Sequence, residues 1–360
     1  MQKSAQKIDI QRAVTLKDRP KRSEELGFGK LFTDHMLVMD YTKDGGWGDA
    51  RILPYGPFEM DPGCCVLHYA QTIFEGLKCY RRADGALLLF RPRDNFARMN
   101  ASARRICMPE FDADFALEGL KALLRLDEAW VPSWPGTSLY VRPTMIATDA
   151  MLSVHASRGY RFFIILSPSG PYYANGLAPV SIYVEDAYVR AVTGGVGHTK
   201  TGGNYAASIL AGSIAESKGF AQVLWLDGKE NRYVEEVGSM NMFFLLREGL
   251  VTPPLDGSIL AGITRDSILT LAAEMGRPVI QRPLAIDEVF DAAERGDLLE
   301  AFGTGTAAVV SPVGRLHWSG REVTVSGGRI GAFTQRLYDA LTGIQLGSLP
   351  DTHGWVETVL

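Results

Sequence analysis

Gly194-Gly-Val-Gly-His-Thr-Lys200-Thr-Gly-Gly-Asn-Tyr205 sets five glycines and a single lysine into twelve positions. Glycines let a backbone approach a ligand closely, and loops of this kind present side-chain chemistry. Two chemistries want a lysine there. A phosphate cradle uses the loop amides with the lysine as a point charge. A Schiff-base enzyme uses the lysine amine to hold a carbonyl cofactor. The phosphate-loop pattern G-x-x-x-x-G-K-[ST] fails because Thr199 stands where its second glycine belongs. The dinucleotide pattern G-x-G-x-x-G fails too, since Gly195-Val-Gly197-His-Thr is followed by Lys200. A nucleotide-binding phosphate loop therefore stands as the rival from another class, behind carbonyl chemistry.

Outward from this loop the chain alternates strand-like runs and helical stretches. Strands are expected at Met36–Asp40, Ala86–Phe90, Ser138–Ala147 and Arg161–Ser167, then at Val180–Glu185, Gln222–Asp227 and Met240–Arg247. Asp94–Cys107 reads as a helix starting at an Asp cap. Asp114–Leu126 reads as a second, with Phe115, Leu117, Leu120, Leu123 and Leu124 on one face. Later helices, Ala206–Lys218, Arg265–Met275 and Glu288–Arg295, each stop before a glycine, and a further one spans Ile330–Ile344. Residues 1–25 are polar and aperiodic, an arm or a strap. Pro and Gly concentrate between Ser167 and Pro179, which marks a boundary. The expected organisation is a smaller α+β domain over 1–172, a linker at 173–179, and a larger mixed α/β domain over 180–360.

Composition narrows the function. The 360 residues carry 46% hydrophobic side chains and a net charge of −4, an ordinary globular balance without the basic excess of a nucleic-acid binder. No apolar run reaches the length of a membrane span, and Met1–Asp9 has no apolar segment of a secretory signal. A cytoplasmic enzyme without a metal is expected. Cys64, Cys65, Cys79 and Cys107 have no metal-like spacing and read as idle or buried thiols.

The lysine stretch resembles the cofactor-lysine segment of branched-chain amino-acid aminotransferases, which runs close to G-G-V-G-x-x-K-x-G-G-N-Y. Further motifs follow in that family's order, from about Phe28 to the C-terminus. The resemblance implies a two-domain fold-type IV enzyme, like the D-amino-acid aminotransferases, with pyridoxal 5'-phosphate in an active site between the domains. Lys200 is then the catalytic lysine. Glu236, in Glu236-Val-Gly-Ser-Met-Asn241, matches E-x-G-[ST]-x-N, whose glutamate keeps the cofactor's ring nitrogen protonated. Gly262-Ile-Thr-Arg265 matches the phosphate-binding turn, which implies that the Ile263 and Thr264 amides face the phosphate. Arg98 and Thr306 match further phosphate contacts, and Tyr205 matches the partner of the phenolic oxygen.

On the substrate side, His68-Tyr69-Ala-Gln-Thr-Ile-Phe74-Glu75-Gly76 matches a motif whose Tyr69 and Phe74 line an apolar pocket, and Phe28 aligns with another pocket aromatic. Tyr140 and Arg142 lie two apart on an expected strand and so share a face. The family's arginine there accepts the second carboxylate of glutamate. Tyr172 fits a gate, and Ser239 and Ala307 match positions that receive the α-carboxylate. Ser239 departs from the usual threonine but keeps the hydroxyl. The resemblance further implies a homodimer, with Leu152 and Val154 of one subunit closing the other's pocket. The expected reaction moves an amino group reversibly between leucine, isoleucine or valine and 2-oxoglutarate, with ping-pong kinetics. A D-amino-acid aminotransferase or an aminodeoxychorismate lyase is the rival on the same fold, and Tyr69–Gly76 and Tyr140–Arg142 argue against both.

Overall fold

The computed structural model describes residues 7–170 and 177–359. They divide into two units, each built on its own sheet. One takes the chain up to Gly170 together with Thr199–Gly202 and everything from Ile344 onward; the other takes 177–198 and Gly203–Gly343. The sequence reading had kept 180–360 together. Long-range pairing decides otherwise: the C-terminal strand Val356–Thr358 runs antiparallel to Leu87–Phe90, and Thr201 bridges Ile73.

In the first unit the strands are β1 (Asp9–Ile10), β2 (His35–Thr42), β3 (Gly46–Pro54), β4 (Thr72–Phe74), β5 (Leu77–Arg81), β6 (Leu87–Phe90), β7 (Ser138–Ala147) and β8 (Gly159–Ser169). The sheet runs β1-β3-β2-β8-β7-β5-β6 and ends on the C-terminal strand, with β4 also paired to β7. β7 alternates buried and half-buried residues, the period of a strand with one face on a core. The helices are α1 (Cys65–Tyr69), α2 (Pro92–Arg105) and α3 (Ala113–Leu126). α3 buries Leu117, Leu120, Leu123 and Leu124 as its spacing requires, and Asp112 caps it by accepting from the Phe115 amide at 3.1 Å. α2 starts earlier than its sequence suggested. Arg91, at φ 49°, is its cap, and Pro92 supplies the first-turn φ, so Asp94 lies inside the first turn and pairs with Arg91 Nε at 2.5 Å. Residues 7–25 behave as a strap. β1 pairs with β3, the Ala13 amide donates to the buried His35 Nε2 at 2.8 Å, and the Lys17 amide donates to Asp34 at 2.8 Å. Cys107, expected buried, is exposed in the turn after α2.

The second unit contains β9 (Val180–Glu185), β10 (Gln222–Leu226), β11 (Val234–Val237), β12 (Met240–Leu246), β13 (Gly249–Thr252), β14 (Val279–Gln281), β15 (Leu298–Gly305), β16 (Val309–Trp318) and β17 (Arg321–Thr324). The order is β11-β10-β9-β16-β15-β12-β13-β14, and β11 also pairs with β12. That extra pairing closes β11-β10-β9-β16-β15-β12 into a ring, which removes their free edges. β12 is buried at every position and is apolar except at Asn241. The helices are α4 (Gly202–Ala206), α5 (Ile209–Ser217), α6 (Ile263–Glu274), α7 (Ile286–Arg295) and α8 (Ala332–Gln345). The single helix expected over 206–218 breaks at Ser208, whose Oγ donates back to the Tyr205 carbonyl at 2.7 Å.

Candidate active site

In the first unit, Lys200 is fixed through its backbone. Its amide donates to Ser102 Oγ on α2 at 3.1 Å, and its carbonyl accepts from the Phe74 amide at 3.0 Å. The Lys200 amine is thereby left to one side of the Phe74 ring, 4.8 Å from its centre. The Arg142 guanidinium lies 4.8 Å from the same ring, and its Nη2 donates to the Tyr140 hydroxyl at 3.2 Å. Phe28 packs edge-on against Tyr140 with centroids 5.1 Å apart. A Cβ at Gly76 would sit 2.0 Å from the Tyr140 hydroxyl, so only glycine there lets the tyrosine occupy its place. Phe28, Phe74, Tyr140, Arg142 and Lys200 therefore converge.

Arg98 joins them from α2, one turn before Ser102. It grips Glu75 with Nε on Oε1 at 2.7 Å and Nη2 on Oε2 at 2.8 Å, and Glu75 is wholly buried. Sequence reasoning quoted Glu75 inside its motif but gave it no role; the signal was a lone glutamate among apolar neighbours. It also passed over Lys78. That lysine faces Tyr140 across the β5–β7 pairing, and desolvation pushes its pKa down to about 8. Tyr69, Leu152 and Val154 are exposed and stand outside this grouping. Tyr172 lies outside the described residues.

The second unit gathers the remaining candidates at one end of its ring. β11 and β12 meet through Gly238 and Ser239, and β15 and β16 meet through Thr306 and Ala307. Asn241 pairs with Glu236 on one side and with Thr304 on the other, so both turns lie at the same end. Glu236 is buried. Its Oε1 accepts from Asn241 Nδ2 at 3.1 Å and from the Leu260 amide at 3.3 Å, while its Oε2 lies 2.9 Å from Arg190 Nε. Arg190 is a third residue that sequence reasoning missed; it lies ten positions before Lys200 with no motif around it.

The start of α6 is bound into the same network. No side chain at Gly262 caps it, and a Cβ there would sit 1.9 Å from Asn241 Oδ1, so the backbone can come this close only as glycine. A helix start without a side-chain cap, carrying Ile263 and Thr264 in its first turn, is suited to an anion. Tyr205 sits half-buried on α4, and Asn204 Nδ2 ties that helix to the Val196 carbonyl at 2.9 Å.

These groups fit a phosphorylated carbonyl cofactor with a basic ring nitrogen. An ion-paired, buried Glu236 matches a protonated ring nitrogen, a helix start that no Gly262 side chain caps matches a phosphate, and a lysine amine matches a carbonyl. Among the described residues no His, Cys, Asp and Glu cluster could hold a metal ion, and no helix is long and apolar enough to cross a membrane.

Residues 72–316 match the model of the amino-transferase class IV family. The chain is 52% identical over 354 residues to the branched-chain-amino-acid aminotransferase 2 of Bacillus subtilis, covering 98% of this chain and 97% of that one. It is also 52% identical over 352 residues to a probable branched-chain-amino-acid aminotransferase of Staphylococcus aureus, covering 98% of each. Among solved structures, the branched-chain amino acid aminotransferase of Escherichia coli matches with a TM-score of 0.75 at 27% identity, over 91% of this chain and 99% of that one.

Proposed function

The chain belongs to the class IV aminotransferase family and is a branched-chain-amino-acid aminotransferase, and from that premise we propose how its residues divide the reaction. An amino group passes reversibly between leucine, isoleucine or valine and 2-oxoglutarate. Pyridoxal 5'-phosphate, when bound, supplies a carbonyl that takes the amino group and a ring that accepts the electron pair released at the α-carbon.

Lys200 Nζ would hold the cofactor's carbonyl and, as a neutral amine, would serve as the base that moves the proton at the substrate's α-carbon. Glu236 keeps a proton on the ring nitrogen, with Arg190 and Asn241 fixing the carboxylate's direction. The Ile263 and Thr264 amides, Thr306 and Arg98 hold the phosphate, and Tyr205 orients the phenolic oxygen. Ser239 and Ala307 receive the substrate's α-carboxylate. Phe28, Phe74 and Tyr140 give an apolar wall that suits branched side chains. Arg142 meets the second carboxylate of glutamate, so that one pocket serves both substrate classes. A homodimer in which Leu152 and Val154 close the partner's pocket accords with their exposure, and a cytoplasmic location accords with the substrates.

The convergence of Lys200, Phe74, Tyr140 and Arg142 is the observation that supports this reading most. A substrate panel tests it. Protein purified with the cofactor should be yellow, should lose its visible band on borohydride treatment, and should transaminate leucine, isoleucine and valine with 2-oxoglutarate along parallel double-reciprocal lines. Lys200→Ala should stay folded, because the hydrogen bonds of Lys200 to Ser102 and Phe74 are made by its backbone, yet lose the band and turnover. Transamination by that variant at the normal rate would overturn the assignment.

A further inference from the structure

Lys17 closes a loop. Its amide donates to Asp34 Oδ1 at 2.8 Å, and its amine donates to the Thr33 and Phe32 carbonyls at 2.7 and 3.1 Å. The fifteen residues 18–32 therefore leave and return to one point, the form of a compact surface loop with neighbouring ends. The base of this loop is itself held. Asp34 is buried, and its Oδ2 accepts from Trp130 Nε1 at 2.7 Å. The Lys17 amine also lies 4.1 Å from the centre of the Tyr55 ring, and that ring stacks on Phe32 with centroids 5.0 Å apart.

The loop carries Phe28. Just before it, Leu26 is buried, and the Gly27 carbonyl accepts from the Gly170 amide at 2.9 Å. Gly27 and Gly29 lie at φ 60° and 67°, so the backbone turns through left-handed conformations on both sides of Phe28. The ring meets Tyr140 edge-on, yet the residue remains 40% exposed. The course of the backbone, as well as packing, decides where that ring stands.

We propose that Lys17 is a positioning residue for substrate choice: by tying the ends of the loop it keeps Phe28 against Tyr140, on the wall that branched side chains meet. The inference rests on the reading of Phe28 as part of that wall. An untied loop of this length samples many conformations, and closing it removes that freedom before a substrate arrives. A branched side chain then meets a ring already in place. Glutamate draws on Arg142 for its second carboxylate, so loosening Phe28 weakens leucine more than glutamate. Lys17 takes no part in the chemical step, and its influence falls on KM.

The test is steady-state kinetics of the full, cofactor-loaded chain, with leucine and with glutamate as amino donor. Lys17→Met keeps the stem and the backbone amide but loses the donor hydrogens of the amine. It should raise KM for leucine by about fivefold with kcat within about twofold, and change KM for glutamate by about twofold or less. Lys17→Arg can still donate to both carbonyls and should restore most of the leucine KM. Phe28→Ala should raise the leucine KM by about tenfold. Adding Lys17→Met to it should change that value no further, because both substitutions act through one ring. A leucine KM unmoved by Lys17→Met, an equal rise for both donors, no rescue by Lys17→Arg, or full additivity in the double variant would each overturn the proposal while leaving Phe28 in the wall. A leucine KM unmoved by Phe28→Ala would take Phe28 out of the wall and overturn the proposal with it.

Discussion

Arg98 and Glu75 form a two-toothed ion pair in which the glutamate is completely buried and the arginine nearly so. Glu75 follows Phe74, whose amide holds the Lys200 carbonyl, so the pair ties an α2 arginine to the strand that positions the lysine. Arg98 is aimed by this contact, and a long side chain left free would spread over many rotamers. Removing one partner of a buried pair costs about 3–5 kcal/mol. Glu75→Gln should lower the unfolding midpoint of the cofactor-free protein and raise its Kd for pyridoxal phosphate by about tenfold or more. Equilibrium dialysis followed by thermal unfolding reads both effects. Unchanged cofactor affinity would mean that Arg98 is only a structural partner of Glu75.

Glu236→Gln separates shape from charge. The amide oxygen can still accept from Asn241 and Leu260, but the ion pair with Arg190 is lost. Turnover should fall by about a hundredfold or more, while the cofactor stays bound. Absorbance of the dialysed variant together with its steady-state rate decides the matter. A variant with normal turnover would remove Glu236 from the chemistry.

Arg142→Met tests how two substrate classes share one pocket. Arg142 packs over Phe74 and Tyr140, and methionine retains much of that apolar contact while losing the charge. The kcat/KM for 2-oxoglutarate should fall by about a hundredfold, against a change of about threefold or less for leucine. Paired half-reaction kinetics provide the comparison, and equal losses on both substrates would make Arg142 structural.

The pH dependence of stability isolates Glu235. Burial raises its folded-state pKa from 4.5 to about 7, so between those values the folded chain holds a proton that the unfolded chain has lost. This group's contribution therefore falls as pH rises through that window, and its penalty is complete above about pH 7. Glu235→Gln should match the wild type near pH 4.5 and exceed it at pH 8 by a margin of the order of 3 kcal/mol. Urea denaturation at the two pH values measures the difference. A constant gap would show that ionisation of Glu235 is not what separates the proteins.

Much of the candidate site was legible in the sequence because the residue types it calls for stand in short local patterns. The glycines around Lys200 and the carboxylate of Glu236 before Asn241 each depend on backbone geometry within a few residues. So does the glycine that opens α6. The helical period of α3 and the two-residue alternation of β7 are equally local, and their boundaries lie close to those expected. Partnerships between distant residues were not legible. Glu75 with Arg98, Arg190 with Glu236 and Ser258 with Glu235 join positions up to 46 apart in sequence, and no periodicity encodes such encounters. The same holds for the pairing of the C-terminal strand with β6 and for the seating of Thr199–Gly202 in the first unit. Which residues are candidates for the chemistry was legible in local sequence. What aims each of them was settled by tertiary structure, because a buried charge is held in place only by a partner that the fold brings to it.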